Sequence, residues 1–290
     1  AEAWGIFLDG ENDRVFAARA TVPLREASFV SRGDGAAQVK VGACRFRLGL
    51  AGTAAGELRR DGRMATWNIA FGGAGGPVAE PLCIFPFRAM VDGPFPRSKL
   101  LTPFPALRFR GSFTVDGEEV SVDGWHGMQG HNWGREHALE YAWGQCLFPA
   151  ASDGQDVMVE GFTGRIRLGG RPTPRLSALV VRRGADEYRF DRVVDLWRQE
   201  ASLDDRTWTL SMRGSDGRAT LKMDASGRPL ACLGYWNPDG RLSYCINSKL
   251  ARTELHVEPA RGGAFHVESA HGGALEFLRS TPDPALPDVV

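Results

Sequence analysis

The sequence has no long apolar run, no excess of either charge and no paired-cysteine motif. Lys plus Arg equal Asp plus Glu at 35 each in 290 residues, so net charge does not favour nucleic acid as a partner. No uninterrupted apolar run approaches the roughly 20 residues that a membrane-spanning helix requires, and we expect no integral membrane segment. The 5 cysteines are scattered without a CxxC pair, which is typical of buried, reduced thiols in a cytoplasmic protein.

Common catalytic and cofactor motifs are missing as well. The chain has no GxSxG, GxGxxG or GxxxxGK[ST] segment, which argues against the usual hydrolase, dinucleotide and nucleoside-triphosphate sites. Its histidines lack HExxH spacing, because His126 and His131 are five apart and His131 and His137 are six apart. A metal held by a folded loop and a Cys146 nucleophile beside a histidine stay open as alternatives, but we expect no metal and no cofactor.

Alternation of apolar and polar residues over short runs is the strongest pattern present. It extends over Ala106–Val122, where Asp116-Gly117 supplies a tight turn, and over Glu57–Phe71, where Asp61-Gly62 does the same. A period of two with Asp-Gly turns predicts antiparallel hairpins, with both turn residues at positive φ. The chain is long for one small barrel, so we expect an all-β protein of two antiparallel sandwich or barrel domains.

The 36 glycines and 17 prolines interrupt nearly everything else. Gly72–Pro105 begins with a glycine-rich run and then alternates proline with phenylalanine, which predicts an irregular connection lying over something apolar. It is either a packed surface segment or a lid over a pocket. Helical periodicity is scarce, and Arg135–Tyr141 is one of two places where a helical turn or two is expected.

One segment, Gly124–Phe148, concentrates the residues capable of chemistry. It reads GWHGMQGHNWGREHALEYAWGQCLF, and its glycines allow tight or left-handed backbone in the first half. The second half resumes strand alternation, which places Tyr141, Trp143 and Gln145 on one face. We expect a glycine-jointed loop that feeds an aromatic strand. An ordinary connection whose polar groups satisfy one another is the simpler alternative.

Acid–base chemistry in an apolar pocket is the interpretation that these residue types favour. A carboxyl group buried among aromatic rings has a raised pKa and delivers a proton near neutral pH. Asp123, Glu136 and Glu140 are the available acids, although Glu136 and Glu140, four apart, are also typical of a solvated helical face. The catalytic candidates are His131, Asn132 and Glu136; the ligand-binding candidates are Trp125, His126, Gln129, Trp133, His137, Tyr141, Trp143 and Gln145.

The motif GxxGHNWGxxH at Gly127–His137, followed by YAWGQ, resembles the two-lipocalin family of carotenoid 1,2-hydratases, tocopherol cyclase-like proteins and lipocalin-like pericyclic cyclases. In that family a His/Asp-Gln/Asn-Trp-Gly core closes the first domain and an aromatic strand begins the second. His131, Asn132, Trp133 and Gly134 match the core. The hydratases carry an acidic residue just before it, whereas Gly130 stands here, so the resemblance leaves the proton donor unassigned.

The resemblance implies two lipocalin-like domains, residues 1–138 and 139–290, with the start of the first one truncated. It also implies a cofactor-independent cyclase, isomerase or hydratase for a bulky apolar molecule of terpenoid or polyketide type, bound at the domain junction. The alternative is a non-catalytic carrier or sensor of a lipophilic ligand. The expected partner in either case is an apolar small molecule, with no nucleic acid, while the sequence leaves the oligomeric state unknown.

Overall fold

The computed structural model describes residues 1–31, 36–73, 81–85, 87–94, 97–149, 154–168, 171–286 and 288–290. Nearly all regular structure in these ranges consists of β-strands, and the strands pair antiparallel within their sheets. This confirms the expected all-β class. Among the described residues, no helix is both long and apolar enough to span a membrane.

The chain before residue 135 forms a two-stranded ribbon and an eight-stranded sheet. The ribbon consists of β1 (Glu2–Asp9) and β2 (Arg14–Thr21). The sheet has the order β10-β8-β7-β6-β5-β4-β3, with β9 also paired to β8. Its strands are β3 (Ser28–Ser31), β4 (Ala37–Val41), β5 (Cys44–Leu48), β6 (Gly52–Arg60), β7 (Arg63–Gly73), β8 (Ser98–Val115), β9 (Glu118–Ser121) and β10 (His126–Gly134).

The chain from residue 140 onward forms a ten-stranded sheet with the order β16-β15-β12-β11-β22-β21-β19-β18-β17 and β20 beside β21. Its strands are β11 (Glu140–Phe148), β12 (Val157–Arg165), β15 (Leu176–Arg183), β16 (Asp186–Phe190), β17 (Glu200–Leu203), β18 (Thr207–Gly214), β19 (Gly217–Asp224), β20 (Ala231–Trp236), β21 (Leu242–Pro259) and β22 (Phe265–Arg279). A small hairpin joins β13 (Arg167–Leu168) to β14 (Arg171–Pro172). The helical segments are α1 (Arg88–Asp92) and 3-10 turns at Leu24–Glu26 and Val193–Arg198.

Both large sheets are open. Within the described residues, the two outermost strands of each sheet do not pair with each other, so neither sheet closes into a barrel. One sheet is drawn from residues before the 135–139 link and the other from residues after it. The division into two domains near Ala138 stays a prediction.

The Asp-Gly hairpins have the predicted backbone. Asp61 and Gly62 have φ angles of 52° and 78°, and Asp116 and Gly117 have φ angles of 51° and 89°. Positive φ at both central residues matches the right-handed twist of the flanking strands, which is why Asp-Gly is favoured there. Local sequence therefore fixes these turns.

Two sequence expectations are wrong. The end of the predicted irregular stretch Gly72–Pro105 belongs to β8, which begins at Ser98. Prolines are tolerated there because β7 ends its pairing at Leu107, and the register with β10 shifts around Phe104. Part of that stretch, residues 74–80, 86 and 95–96, lies outside the described residues. The helical turn expected at Arg135–Tyr141 is absent, because β11 already begins at Glu140.

The β1–β2 ribbon is buried on both faces and connects the two sheets. Phe16 and Ala18 pack with Leu58 in the core of the first sheet. On the opposite face, Ala17 and Ile6 pack with residues of β20, β21 and β22. Alternation along one ribbon therefore supplies apolar side chains to both parts of the molecule.

Candidate functional site

Strand β11 has one face in the core and one face toward the first part of the chain. Ala142, Cys146 and Phe148 belong to the main core of the second sheet. Tyr141 instead packs against the cluster that contains the ribbon. The side chains of β11 therefore alternate between two faces as the sequence predicts, and the aromatic face lies outside the core of the second sheet.

Glu160 of β12 lies directly beside this face. It is the cross-strand partner of Gln145, and its side chain is fully buried, with 0% exposure. Its Oε1 accepts hydrogen bonds from Thr102 Oγ1 at 2.8 Å and from the Trp143 indole Nε1 at 3.1 Å. Its Oε2 is buried and has no hydrogen-bond partner among the described residues. An unpaired carboxylate oxygen in such a place strongly disfavours the charged form of the acid.

The surroundings of Glu160 are apolar. Its neighbours on the same face of β12, Met158 and Phe162, pack with Leu82, Ile84 and Val180 in one cluster. Burial raises the pKa of Glu160 to about 7, although the hydrogen bonds from Thr102 and Trp143 oppose that rise. The carboxyl group is therefore divided between its acid and carboxylate forms at neutral pH.

The hydrogen bonds also determine where the proton of the neutral acid lies. An indole N–H is only a donor, and Oε1 is occupied as an acceptor by it and by the Thr102 hydroxyl. The proton of neutral Glu160 consequently lies on Oε2. Among the described residues Oε2 has no acceptor beside it, so the O–H group of the neutral acid has no partner in this part of the chain.

Gln145 presents an amide group next to this carboxyl group, as its cross-strand partner. The residue is 6% exposed, and its amide is not one of the buried, unpartnered groups among the described residues. An unpartnered carboxyl oxygen beside an amide on the adjacent strand is an arrangement that suits a polar group of a ligand.

A polar network continues from Trp143 across the same sheet face. Lys249 Nζ donates to Glu276 Oε1 at 2.7 Å and to Asn247 Oδ1 at 2.9 Å, and it lies 5.7 Å from the centre of the Trp143 ring. Asn247 Nδ2 lies 3.2 Å from the sulfur of Cys245. Along this face, the carboxyl group of Glu160 is buried, whereas the ammonium group of Lys249 is half-exposed.

The thiols near this face are not activated nucleophiles. Burial raises the pKa of Cys146 to about 12, and it raises the pKa of Cys245 as well. Tyr141, whose hydroxyl lies 3.7 Å from the Cys245 sulfur, also has its pKa raised by burial. All three groups are neutral at physiological pH, so none of them is a ready thiolate or phenolate base.

Residues 82–85 cover Glu160 and are held from both sides. The backbone of Leu82 exchanges hydrogen bonds with Thr102, at 2.9 and 3.0 Å. From the second sheet, Arg189 Nη2 donates to the carbonyl oxygens of Cys83 at 2.7 Å and Phe85 at 3.4 Å. Thr102 thus contacts the covering segment through its backbone and Glu160 through its side chain.

The three catalytic candidates lie elsewhere on the molecule. His131 and Asn132 are exposed on β10, which is an edge strand of the first sheet. The His131 ring stacks on Trp133 with centroids 4.8 Å apart. Glu136 lies in the link before β11, 3.8 Å from Arg97. None of the three forms a hydrogen bond with the Glu160 group among the described residues, and their catalytic role stays a prediction.

The other candidates are divided among several environments. Gln129 accepts a hydrogen bond from the Gly49 backbone at 3.2 Å, which gives it a structural partner. His137 stacks on Tyr235 at 5.3 Å, and desolvation lowers its pKa. Exposed His126 also has its pKa lowered by desolvation.

Trp125, with 51% exposure, lies at a separate cavity in the first part of the chain. Only Tyr141, Trp143 and Gln145 come together on the face beside Glu160.

Sequence reasoning missed Glu160, although a signal for it exists. Asp123, one of the three acids considered, accepts a hydrogen bond from the Gly111 backbone at 2.8 Å, and Glu140 pairs with Arg175 at 2.9 Å. Glu160 is the one charged residue in the run Val157–Phe162. A lone acid within an apolar strand must be paired or neutral when buried, which is a mark of function.

Within the described residues, no three His, Cys, Asp or Glu side chains are grouped as a metal site.

Comparisons with known proteins give distant similarities. No family model matches the chain. Uncharacterized proteins from two strains of Mycobacterium tuberculosis, CDC 1551 / Oshkosh and ATCC 25618 / H37Rv, are each 26% identical over 250 residues, covering 86% of this chain and 72% of theirs. Neither of them has a described function.

Two solved structures are similar over most of their length. Kievitone hydratase from Nectria haematococca has 12% identity and a TM-score of 0.45, covering 97% of this chain and 89% of that one. A putative AttH protein from Nitrosomonas europaea has 12% identity and a TM-score of 0.45, covering 92% and 76%. Similarity at this level does not indicate a function.

Proposed function

We propose that this protein is a cofactor-independent acid–base enzyme that cyclises, isomerises or hydrates a bulky, largely apolar small molecule of terpenoid or polyketide type. Its site is the face of β11 and β12 between the two sheets, and Glu160 is the proton donor. The observation that carries the proposal is the buried Oε2 of Glu160, which has no partner among the described residues and lies beside Gln145 on the adjacent strand.

The chemistry follows from the hydrogen bonds of Glu160. Its Oε2–H donates a proton to a carbon–carbon double bond or an oxygen atom of the substrate, and the resulting cation cyclises, loses a proton or accepts water. The carboxylate left behind keeps its bonds from Thr102 and Trp143 on Oε1, and solvent later restores its proton. The Gln145 amide orients a polar group of the substrate, and the π face of Trp143 stabilises developing positive charge.

The test is proton transfer in deuterated water. The wild type, Glu160→Gln and the control Glu268→Gln are incubated with a panel of terpenoid and polyketide compounds, and products are analysed by mass spectrometry. Glu268 is an exposed acid on β22, so its substitution leaves the site intact. We expect a deuterium-labelled product from the wild type and the control. We expect a loss of at least about 100-fold in rate for Glu160→Gln, the usual contribution of a general acid.

Two outcomes decide against parts of the proposal. Full turnover by Glu160→Gln contradicts the assignment of the proton donor. A molecule that binds the wild type and is recovered unchanged favours the non-catalytic carrier or sensor. His131→Ala and Asn132→Ala in the same assay test the catalytic role that the sequence predicts for these two exposed residues.

A further inference from the structure

A cavity of about 500 Å³ lies in the first part of the chain. It is formed by the turn between β1 and β2 and by the β8–β9 hairpin, with Trp125 beside them. A volume of this size is ordinary for a site that takes a small organic molecule. None of Thr102, Trp143, Gln145 and Glu160 lines it, so this cavity is separate from the site described above.

Aromatic rings form the floor of this cavity. Phe7 and Phe113 have their ring centroids 5.1 Å apart, and Trp125 meets Phe113 edge to face at 6.1 Å. Trp125 is 51% exposed and nearby Val120 is 37% exposed. Large apolar side chains left open to solvent at the mouth of a cavity are typical of a binding surface.

The rim of the cavity is acidic. Asp9, Glu11, Asp116 and Glu118 provide four carboxylates, whereas Arg14 and Arg63 are the two cationic side chains that line it. A hydrogen bond from Asn12 and another from Arg14 lower the pKa of Asp9 to about 2. The rim therefore carries more negative than positive charge at physiological pH.

The rim is fixed before any ligand arrives. Arg14 Nη2 lies 2.8 Å from Asp9 Oδ2 and 2.8 Å from Glu118 Oε2. These ion pairs connect the ribbon turn to β9. Arg63 holds Asp116 at 2.6 Å. Glu11 has no ion-pair partner among the described residues. Such a preformed wall lowers the entropy lost on binding, and it leaves one carboxylate available to a ligand.

We propose that this cavity is a second small-molecule site, which binds an organic cation with a flat apolar body, such as an arylalkylammonium compound. The apolar body lies against Phe113 and Trp125, and the positive charge lies among the rim carboxylates near Glu11. The π faces of tryptophan and phenylalanine attract cations. A carboxylate-bearing ligand of the same shape is excluded by repulsion from the rim.

Isothermal titration calorimetry with three probes of similar shape tests the proposal: benzyltrimethylammonium, benzyl alcohol and benzoate. We expect measurable binding of the cation, weaker binding of the alcohol and none of benzoate. Trp125→Ala lowers the affinity for the cation by about tenfold, and Trp125→Phe retains most of it. Glu11→Gln lowers it by about threefold, less so at high salt.

Two controls keep the result specific to this cavity. Trp236→Ala removes another exposed tryptophan, on the second sheet, and Glu160→Gln alters the other site. Both variants retain the wild-type affinity for benzyltrimethylammonium. Equal binding of benzoate, or an unchanged affinity in Trp125→Ala, overturns the proposal. The proposal of this cation site does not depend on the chemistry of Glu160, so the titration tests it independently of the proposed function.

Discussion

At the scale of single residues, Glu160 combines complete burial with incomplete hydrogen bonding. In the described part of the chain, one carboxyl oxygen has two donors and the other has none. A carboxylate in this position lacks the solvation it has in water, so the protein retains the proton instead. The same feature that makes Glu160 a proton donor also links the stability of the fold to pH.

Stability should fall as pH rises through the range in which Glu160 titrates. Its pKa is raised from an ordinary 4.5 to about 7 in the folded protein, so the folded state holds a proton that the unfolded chain has lost. The free energy of unfolding due to this group is therefore greatest below the lower value. It decreases by about 3 kcal/mol on going to pH above the higher value.

Urea unfolding of the wild type and Glu160→Gln across this pH range measures that effect. Glutamine does not titrate, so the difference in unfolding free energy between the two proteins isolates Glu160 from every other group. We expect the wild type to lose stability relative to the variant as pH rises. A difference that stays constant with pH would show that Glu160 has an ordinary pKa in the folded state.

At the scale of elements, the strand that carries Glu160 is positioned by close packing on its other face. Gly161 faces the core, and Gly144 of β11 is its cross-strand partner. The absence of side chains there makes room for the indole of Trp208, which is fully buried and donates to Thr163 Oγ1 at 3.1 Å. The glycines thus let β11 and β12 approach the core closely.

Gly161→Ala should therefore destabilise the protein. The added Cβ would lie 2.9 Å from Trp208 Cη2 and 3.0 Å from Leu179 Cδ1, and both of these side chains are fully buried. Overpacking of this kind costs about 1–3 kcal/mol. Chemical denaturation measures it, with Gly263→Ala as the matched control, because a Cβ at Gly263 meets no atom within 4 Å. Equal stability of both variants would contradict the packing argument.

At the scale of the whole molecule, the site depends on contacts that cross between the two parts of the chain. Thr102 comes from the first sheet, while Trp143, Gln145 and Glu160 come from the second. The 82–85 segment packs against the face of β12 that carries Glu160, and Arg189 of β16 donates hydrogen bonds to its carbonyl groups. Arg189 also pairs with buried Asp191. The acid is therefore dry only while the two parts stay together.

Arg189→Leu should loosen this cover. It removes two hydrogen bonds to the segment and leaves Asp191 without its cation. We expect amide hydrogen exchange in residues 82–85 to accelerate by about tenfold or more, while exchange in β19 changes little. Mass-spectrometric hydrogen exchange measures both regions. Arg25→Leu, at an arginine whose side chain is 82% exposed, is the control. Equal acceleration in β19 would indicate global destabilisation instead of local opening.

Local patterns predicted the turns and the orientation of the aromatic strand, but not the partners of individual residues. Asp61-Gly62 has positive φ because the requirement lies within the dipeptide itself. Pro103 and Pro105 led to the wrong prediction of an irregular connection, because proline interrupts the pairing of two strands only where its missing N–H would form a hydrogen bond. The motif around His131 predicts a catalytic role for it, yet it lies exposed on an edge strand. Its prominence in the motif says nothing about its burial.

The sequence by itself determined the β class, the hairpin turns and the face of β11 that carries Tyr141, Trp143 and Gln145. These properties depend on residues close together along the chain. Only the tertiary structure decided which acid becomes a proton donor. Glu160 is bonded to a threonine 58 positions away and is covered by a segment still further back along the chain. Its pKa is set by the removal of water, which is a property of packing between distant parts of the chain.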